Sequence, residues 1–243
     1  MQQAEEALDK DDFVMAKALF AHLHRAMPNE PHIAHRLALA TYKAKLPTEI
    51  QALEQACDLL AGLDPVTSTD PETLGLLQAV HKRLWSLTQD RAHLEKAIWS
   101  SEKGFLLKND YYNGINLAFL YNVRASISSG AEAIADFVMA QRTRRRVIDI
   151  CEALLADAQT QNGAKRLDSD ATYWVLATLA EAWAGLGDEE KSQEYMTHAL
   201  ALQPPPPSWM IKSTQDQLNR LRALLSDSPL KNGSAAAAGA QVG

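Results

Sequence analysis

The sequence has little of what covalent or metal-based chemistry requires. Of its 243 residues only Cys57 and Cys151 are cysteines, and they lie far apart in no CxxC pattern, so a disulfide framework and a structural zinc site are disfavoured. A reducing cytoplasm is the compartment that this usage predicts. Glycine-rich phosphate loops and a nucleophile beside histidine and acid are also missing. We therefore predict a chain that is not an enzyme and uses no cofactor.

Long apolar runs and a strong net charge are absent too. Nothing approaches about 18 consecutive apolar residues, and the N-terminus lacks a signal-peptide pattern, so we expect neither a membrane span nor secretion. A net charge of −6 argues against a surface devoted to nucleic acid. The arginine run RTRRR at 142–146 lacks interleaved aromatic residues. We interpret it as a solvated helix face paired with nearby acids rather than as a nucleic-acid site.

Histidine pairs are the remaining candidates for metal ligation. His32 and His35 are three residues apart, but no further ligand follows at metal spacing. We expect both histidines to be solvated or capping residues, and no metal is predicted.

What the sequence does contain is helical periodicity. Apolar residues recur at helical spacing almost throughout, and alternating runs of β-branched residues are missing. Turn-forming residues interrupt this pattern regularly, at 27–31, 63–65, 107–110 and 202–207. The sequence predicts an all-α protein built from pairs of helices.

The segment ATYWVLATLAEAWAGLGDEEKSQEYMTHALALQPPPP, residues 171–207, shows what kind of pair this is. Leu179, Ala180 and Trp183 stand at packing positions of a first helix, Gly187 at the turn, and Pro204 at the close. The segment resembles a tetratricopeptide repeat (TPR). That resemblance implies a right-handed α-solenoid of antiparallel helix pairs, of which we count about four, with a half pair in front.

The predicted solenoid is irregular and has an end. After Ala125 we expect a loop near Ser128 to Gly130 and an extended helix from about Ala133 to Gln159. An amphipathic segment at 209–225 is predicted to be a C-terminal capping helix, which repeat arrays need to cover their last apolar face. The helical repeat domain therefore spans 1–226, and the low-complexity residues 227–243 are predicted to be a disordered tail.

The middle of the chain resembles a more specific family. Within 70–125 the sequence carries Gly75 and Trp85 around a basic pair, then KGF at 103–105, then YNGIN at 112–116. This pattern is similar to the TRAFs-binding TPR-type domain of the apoptosis signal-regulating kinases and bacterial relatives. The resemblance implies a non-catalytic regulatory module of stress or defence signalling, usually one part of a larger polypeptide.

A TPR solenoid binds its ligands mainly with side chains of the first helices, and polar groups of the middle region are candidates for that role. One alignment places Asn113, Asn116 and Arg124 on the groove surface. An alignment shifted by one residue places Tyr112, Ile115, Phe119 and Asn122 there instead. The predicted binding residues, over both alignments and the preceding pair, are Lys82, Arg83, Tyr112, Asn113, Asn116 and Arg124.

These residues also have a structural interpretation. Asn113 and Asn116 follow Asp110 within the first turn of a helix, where such side chains satisfy free backbone N–H groups, and for Tyr112 a place in the core is favoured. If the residues do form a site, Lys82, Arg83 and Arg124 make it cationic and suited to a carboxylate or phosphate. The leading prediction is a protein or peptide partner in the groove. The alternative is a sensor for a nucleotide-like anion.

Overall fold

The computed structural model describes residues 1–159 and 167–226 and is helical almost throughout. Its eleven helices within those residues are α1 Gln2–Asp9, α2 Phe13–Ala26, α3 Pro31–Ala44, α4 Glu49–Ala61, α5 Pro71–Thr88, α6 Arg91–Lys108, α7 Tyr111–Ile127, α8 Gly130–Gln159, α9 Ser169–Leu186, α10 Glu189–Leu200 and α11 Ser208–Ser226. The chain divides into two compact units, Met1–Lys108 and Asn109–Gly243. The predicted tail at 227–243 lies outside the described residues.

Most helices begin where a short polar side chain accepts a hydrogen bond from the first turn. The side chain of Asp110, for example, accepts from the backbone N–H of Asn113 at 2.8 Å, and Asp188 accepts from Lys191 at 3.0 Å. The end of α9 is set by Gly187, whose φ of +87° lies in the left-handed region that favours glycine. The predicted helix starts and stops in these places are confirmed.

The first unit consists of three antiparallel pairs, α1 with α2, α3 with α4 and α5 with α6. We call α1, α3, α5, α7 and α9 the first helices of their pairs. Phe20 of α2 is completely buried beside Ile33 of α3, and Leu53 and Leu60 of α4 are completely buried beside Val80 of α5. Within this unit each first helix after α1 thus packs on the second helix of the pair before it, as the sequence predicted, but the predicted half pair in front is a complete pair, α1 with α2.

The expectation that His35 is solvated or a capping residue is wrong. Its side chain is buried, with Nε2 2.7 Å from the Thr73 hydroxyl and 3.2 Å from a carboxylate oxygen of Asp70. These two partners belong to the start of α5, so His35 links successive first helices. His32 is exposed and lies 3.3 Å from Glu5. The two histidines differ in burial because α3 presents His35 to α5 and His32 to solvent.

The second unit holds α7 to α11, and its helices confirm two predictions. The extended helix α8 starts at Gly130 rather than near Ala133, with Glu132 in its first turn, where a negative charge is favourable to the helix dipole. The C-terminal helix α11 packs on α9 and also reaches α7. Its Leu218 and Leu221 are buried in one apolar cluster with Phe119 and Ala180. This is the covering of an apolar face that a capping helix provides.

The interpretation of 142–146 as a solvated face is wrong for one arginine. Arg142, Arg145 and Arg146 are exposed, but Arg144 is completely buried. Its guanidinium donates to Asn122 Oδ1 at 2.6 Å, while its Nε and Nη1 have no hydrogen-bond partner in the described structure. Burial lowers the pKa of Arg144 to about 10, and the negative charge of Glu181 opposes that shift. The helical period turns Thr143 and Arg144 of the run inward, and Gly185 leaves the space that the Arg144 side chain occupies.

Gly185→Ala should destabilise the protein by about 1–3 kcal/mol, because the added methyl group would collide with Nε and Cδ of the buried Arg144. The matched control is Gly75→Ala, a helical glycine with open space around it, which should raise stability by up to about 1 kcal/mol. Urea denaturation measures both changes. In an Arg144→Met background the cost of Gly185→Ala should shrink, and an undiminished cost would contradict this account.

The protein should lose stability as the pH falls from about 6.5 to about 4. His81 is buried beside His93, with their Nδ1 atoms 3.1 Å apart, and burial and the neighbouring charges lower the pKa of His81 to about 4. In the unfolded chain His81 therefore binds a proton near pH 6.5, whereas in the folded chain it binds one only near pH 4. This difference lowers the free energy of unfolding by up to about 3 kcal/mol between these two pH values. Burial also lowers the pKa of His35, which adds a loss of the same sign.

Urea denaturation at pH 7, 5.5 and 4.5 tests this for the native chain, His81→Gln and His22→Gln. His81→Gln should flatten the pH dependence. The exposed His22 should leave it unchanged when replaced. Equal slopes for all three proteins would show that His81 is not the cause.

Candidate functional site

The six predicted binding residues fall in both compact units. Lys82 and Arg83 lie on α5 in the first unit, whereas the other four, Tyr112, Asn113, Asn116 and Arg124, lie on α7 in the second. The two alignments considered for α7 therefore concern the second unit alone. On α5, Lys82 is half-buried and Arg83 is exposed.

In the first unit Arg83 is held by an aromatic ring. Its guanidinium carbon lies 5.0 Å from the ring centroid of Tyr42 on α3, a cation–π contact. Tyr42 is only 6% exposed and belongs to the apolar core with Leu53 and Leu84. Burial raises the pKa of the Tyr42 hydroxyl, and Arg83 opposes that rise. The exposed guanidinium of Arg83 therefore contacts a tyrosine whose position is fixed by the core.

A second cation, which the sequence analysis missed, accompanies Arg83. The ammonium group of Lys43 lies 6.0 Å from the ring centroid of Tyr42 and 5.8 Å from that of Phe13 at the start of α2. Burial lowers the pKa of Lys43, and the positive charge of Arg83 lowers it further, while Asp11 acts in the opposite direction. We call Tyr42, Lys43 and Arg83 the cationic cluster.

Within the part of the chain that the structure describes, no acidic side chain pairs directly with the cations of the cationic cluster. Among the described residues, neither Lys43 nor Arg83 forms an ion pair within 4.0 Å, although like charges side by side repel each other. An incoming anion would relieve that repulsion. Both residues come from successive first helices, so the repeat pattern is the sequence signal that could have paired them.

On α7 the two predicted carboxamides bond to their own helix. Asn113 is buried, and its amide donates to Asp110 at 3.0 Å while its backbone N–H donates to the same carboxylate group. The amide of Asn116 donates to the backbone carbonyl of Tyr112 at 2.9 Å. Tyr112 itself is 56% exposed, so its favoured place in the core is wrong. In these bonds both carboxamides are donors, and Asp110 is the side chain that accepts the free backbone N–H, so the acceptor role predicted for Asn113 and Asn116 is not the one that these bonds show.

Arg124 is already paired. Its guanidinium donates to both carboxylate oxygens of Asp136 on α8, each at 2.8 Å, and its charge lies 5.8 Å from the Tyr121 ring centroid. A bidentate pair of this kind neutralises the arginine and fixes its direction. In the second unit the geometry therefore provides less free positive charge than the sequence suggested.

The alternative alignment of α7 leads mostly into the core. Ile115 and Phe119 are buried, and Phe119 packs against α9 and α11. Asn122 is buried as well and accepts the hydrogen bond of Arg144. Of this set only Tyr112 is exposed to a partner.

The described residues also bear on metal binding and on membrane insertion. They contain no group of three or more histidine, cysteine or acidic residues placed to hold a metal ion. None of their helices combines the length and the apolar character needed to cross a membrane.

A family model and two solved structures are similar to this chain. The family described as "Tetratricopeptide Repeats-Sensor" matches residues 12–121, which include the whole cationic cluster. The thermophilic TPR protein TTC0263 of Thermus thermophilus is 13% identical, with 93% of this chain and 96% of that chain covered and a TM-score of 0.58. The MamA protein is 15% identical over 82% of this chain and 87% of its own, with a TM-score of 0.49. No curated protein matches.

Replacing Arg83 by glutamine should raise the pKa of Lys43 towards its usual range, because the repulsion by the guanidinium disappears while burial stays. Nuclear magnetic resonance of the lysine side chains, recorded as a function of pH, measures this pKa. Arg145→Gln, which removes an exposed arginine of the second unit, is the charge-matched control and should leave it unchanged. An unaltered Lys43 pKa in Arg83→Gln would mean that the two cations do not interact.

Proposed function

Because this chain is a tetratricopeptide-repeat protein of the all-α solenoid class, we propose that it is a non-catalytic regulatory module that binds a protein partner. The binding surface is the exposed side of α3 and α5 around the cationic cluster. Its ligand is an acidic group of the partner, such as a side-chain carboxylate or a free carboxyl terminus. The fold supports an interaction module, and the cluster supports this place and this chemistry.

The observation that carries the proposal is that Lys43 and Arg83 form no direct ion pair within the described part of the chain. Other described arginines, such as Arg124 and Arg222, already form short bonds to an acid. Arg83 instead presents an exposed guanidinium whose direction is fixed by the buried Tyr42. A guanidinium held in one direction binds a carboxylate with two parallel hydrogen bonds and loses little entropy in doing so.

The regulatory part of the proposal depends on a resemblance. Residues 70–125 are similar to the TRAFs-binding domain, which supports a role in stress or defence signalling. In that setting the module would transmit partner binding to an effector that it is attached to or associated with. The resemblance includes Arg83 but not Tyr42 or Lys43.

Acidic peptides should bind the native chain and should bind more than about tenfold more weakly to the double variant Lys43→Gln/Arg83→Gln. Loss of two charges removes the recognition of the carboxylate, and the remaining affinity should become insensitive to salt. The measurement is fluorescence anisotropy with glutamate-rich peptides, each with a free and with an amidated carboxyl terminus. The control Arg142→Gln/Arg145→Gln removes two exposed charges from α8 and should bind like the native chain. Equal binding by both double variants would contradict the proposal.

A nucleotide-like anion is the second candidate ligand of the same cluster. The matching family carries the word "Sensor" in its description, and the match includes Phe13, Tyr42, Lys43 and Arg83. A phosphate group would satisfy both cations as a carboxylate does. Tyr42 is too deeply buried to stack on a base. The cluster therefore favours recognition of the phosphate rather than of the base.

Thermal unfolding with nucleotides and dinucleotides separates the two candidates. A ligand that binds only the folded state raises the melting temperature, and this rise should vanish in Arg83→Gln if the cluster binds the phosphate. A rise that persists in Arg83→Gln would place the nucleotide elsewhere. No rise with any nucleotide, together with cluster-dependent peptide binding, would identify the protein partner as the ligand.

A further inference from the structure

The first unit contains a pocket that is separate from the cationic cluster. It has a volume of about 520 Å³ and is lined by residues of α2, α3 and α4 and of the loops that follow α2 and α4. Pockets that hold small organic ligands have volumes of about 300–1,000 Å³. Its apolar lining comes from Ala21, Leu37, Leu59 and Leu63, so a ligand in it can bury an apolar body.

Two residues that line the pocket hold unsatisfied polar atoms. Thr41 is only 1% exposed, and its hydroxyl oxygen has no hydrogen-bond partner in the described chain. The Nδ1 atom of His24 is buried and also lacks a partner there. A buried polar atom without a hydrogen bond costs about 1–3 kcal/mol, so these residues gain from a ligand that supplies the missing group.

The pocket also carries one charge of each sign. The ammonium group of Lys17 donates to Gln55 at 3.0 Å and to the backbone carbonyl of Leu46 at 3.4 Å, which leaves it one further N–H donor. Asp58 lies three residues after Gln55 on α4, so the two are neighbours on the helix surface, about 5–6 Å apart at Cβ. Lys17 and Asp58 are thus near each other, yet among the described residues they form no direct ion pair.

We propose that this pocket binds a small zwitterion with an apolar body, the chemistry of an α-amino acid with an apolar side chain. Its carboxylate accepts from the free N–H of Lys17. Its ammonium group donates to Asp58 and to the Thr41 hydroxyl. Its side chain lies on Leu37 and Leu59. The ligand spans the gap between the two charges that the protein leaves open, and the site is independent of the function proposed for the cationic cluster.

The test uses three probes that differ in one charged group each: L-phenylalanine, 3-phenylpropionate without the ammonium group and 2-phenylethylamine without the carboxylate. Each is titrated into the full chain while amide resonances are followed. We expect phenylalanine to shift the amides of Lys17, Thr41 and Asp58 and to bind at least about tenfold more tightly than either analogue. No shift at these amides at millimolar phenylalanine overturns the proposal, and so does equal binding of the three probes.

Variants assign the two charges. Lys17→Gln should weaken the binding of phenylalanine and phenylpropionate but leave the binding of phenylethylamine unchanged. Asp58→Asn should weaken the binding of phenylethylamine and leave that of phenylpropionate unchanged. The control Lys10→Gln removes an exposed lysine of the same unit and should change none of the three affinities. If both pocket variants bind all three probes like the native chain, the pocket does not recognise the zwitterion.

Thr41→Val separates binding from folding. The hydroxyl has no partner in the described chain, so its replacement by a methyl group should leave stability unchanged or raise it, while phenylalanine binding falls several-fold. A stable Thr41→Val protein with native affinity would remove the hydroxyl from the site. The proposal would then depend on Lys17→Gln and Asp58→Asn alone. Native affinity for the probes in these two variants as well would overturn it.

Discussion

Within each unit, the close packing of successive helices decides which side chains are buried and which polar groups find partners. This packing buries small and large apolar residues together, as with Ala16 and Phe20 beside Ile33, or Ala180 beside Leu218. Burial of such side chains stabilises a domain by about 25 cal/mol per Å² of apolar surface. Because the helices approach closely, any polar group caught between them must find a partner or remain unsatisfied.

That constraint explains the polar features of both units. His35 finds two partners at the start of α5, and Arg144 finds Asn122 in the space that a glycine of α9 leaves. Thr41 finds no partner in the described chain, which is why the pocket that it lines is a candidate site. The cationic cluster follows from the same packing, since the core fixes Tyr42 and the Tyr42 ring in turn orients Arg83.

Local chemistry explains which predictions succeeded. Asp110 and Asp188 begin helices because their carboxylates accept backbone N–H groups, and Gly187 ends α9 because its conformation suits glycine. Such interactions span a few residues and can be read from the chain. Arg124 pairs with Asp136 on α8, and Lys43 on α3 lies near Arg83 on α5. Each of these pairs joins two different helices. The register of packing decides those pairs, and one sequence does not specify that register.

The all-α class, the helix pairs, the long α8 and the capping helix α11 could be predicted from the chain alone, because periodicity and turn residues act over short distances. The binding residues remain a prediction. Three features follow only from the packing of the helices: Arg144 is buried while the other arginines of the run are exposed, Arg124 is neutralised, and Lys43 lies beside Arg83. The physical reason is that exposure and charge pairing depend on which helix faces meet, and a rotation of one residue, about 100° around a helix, exchanges them.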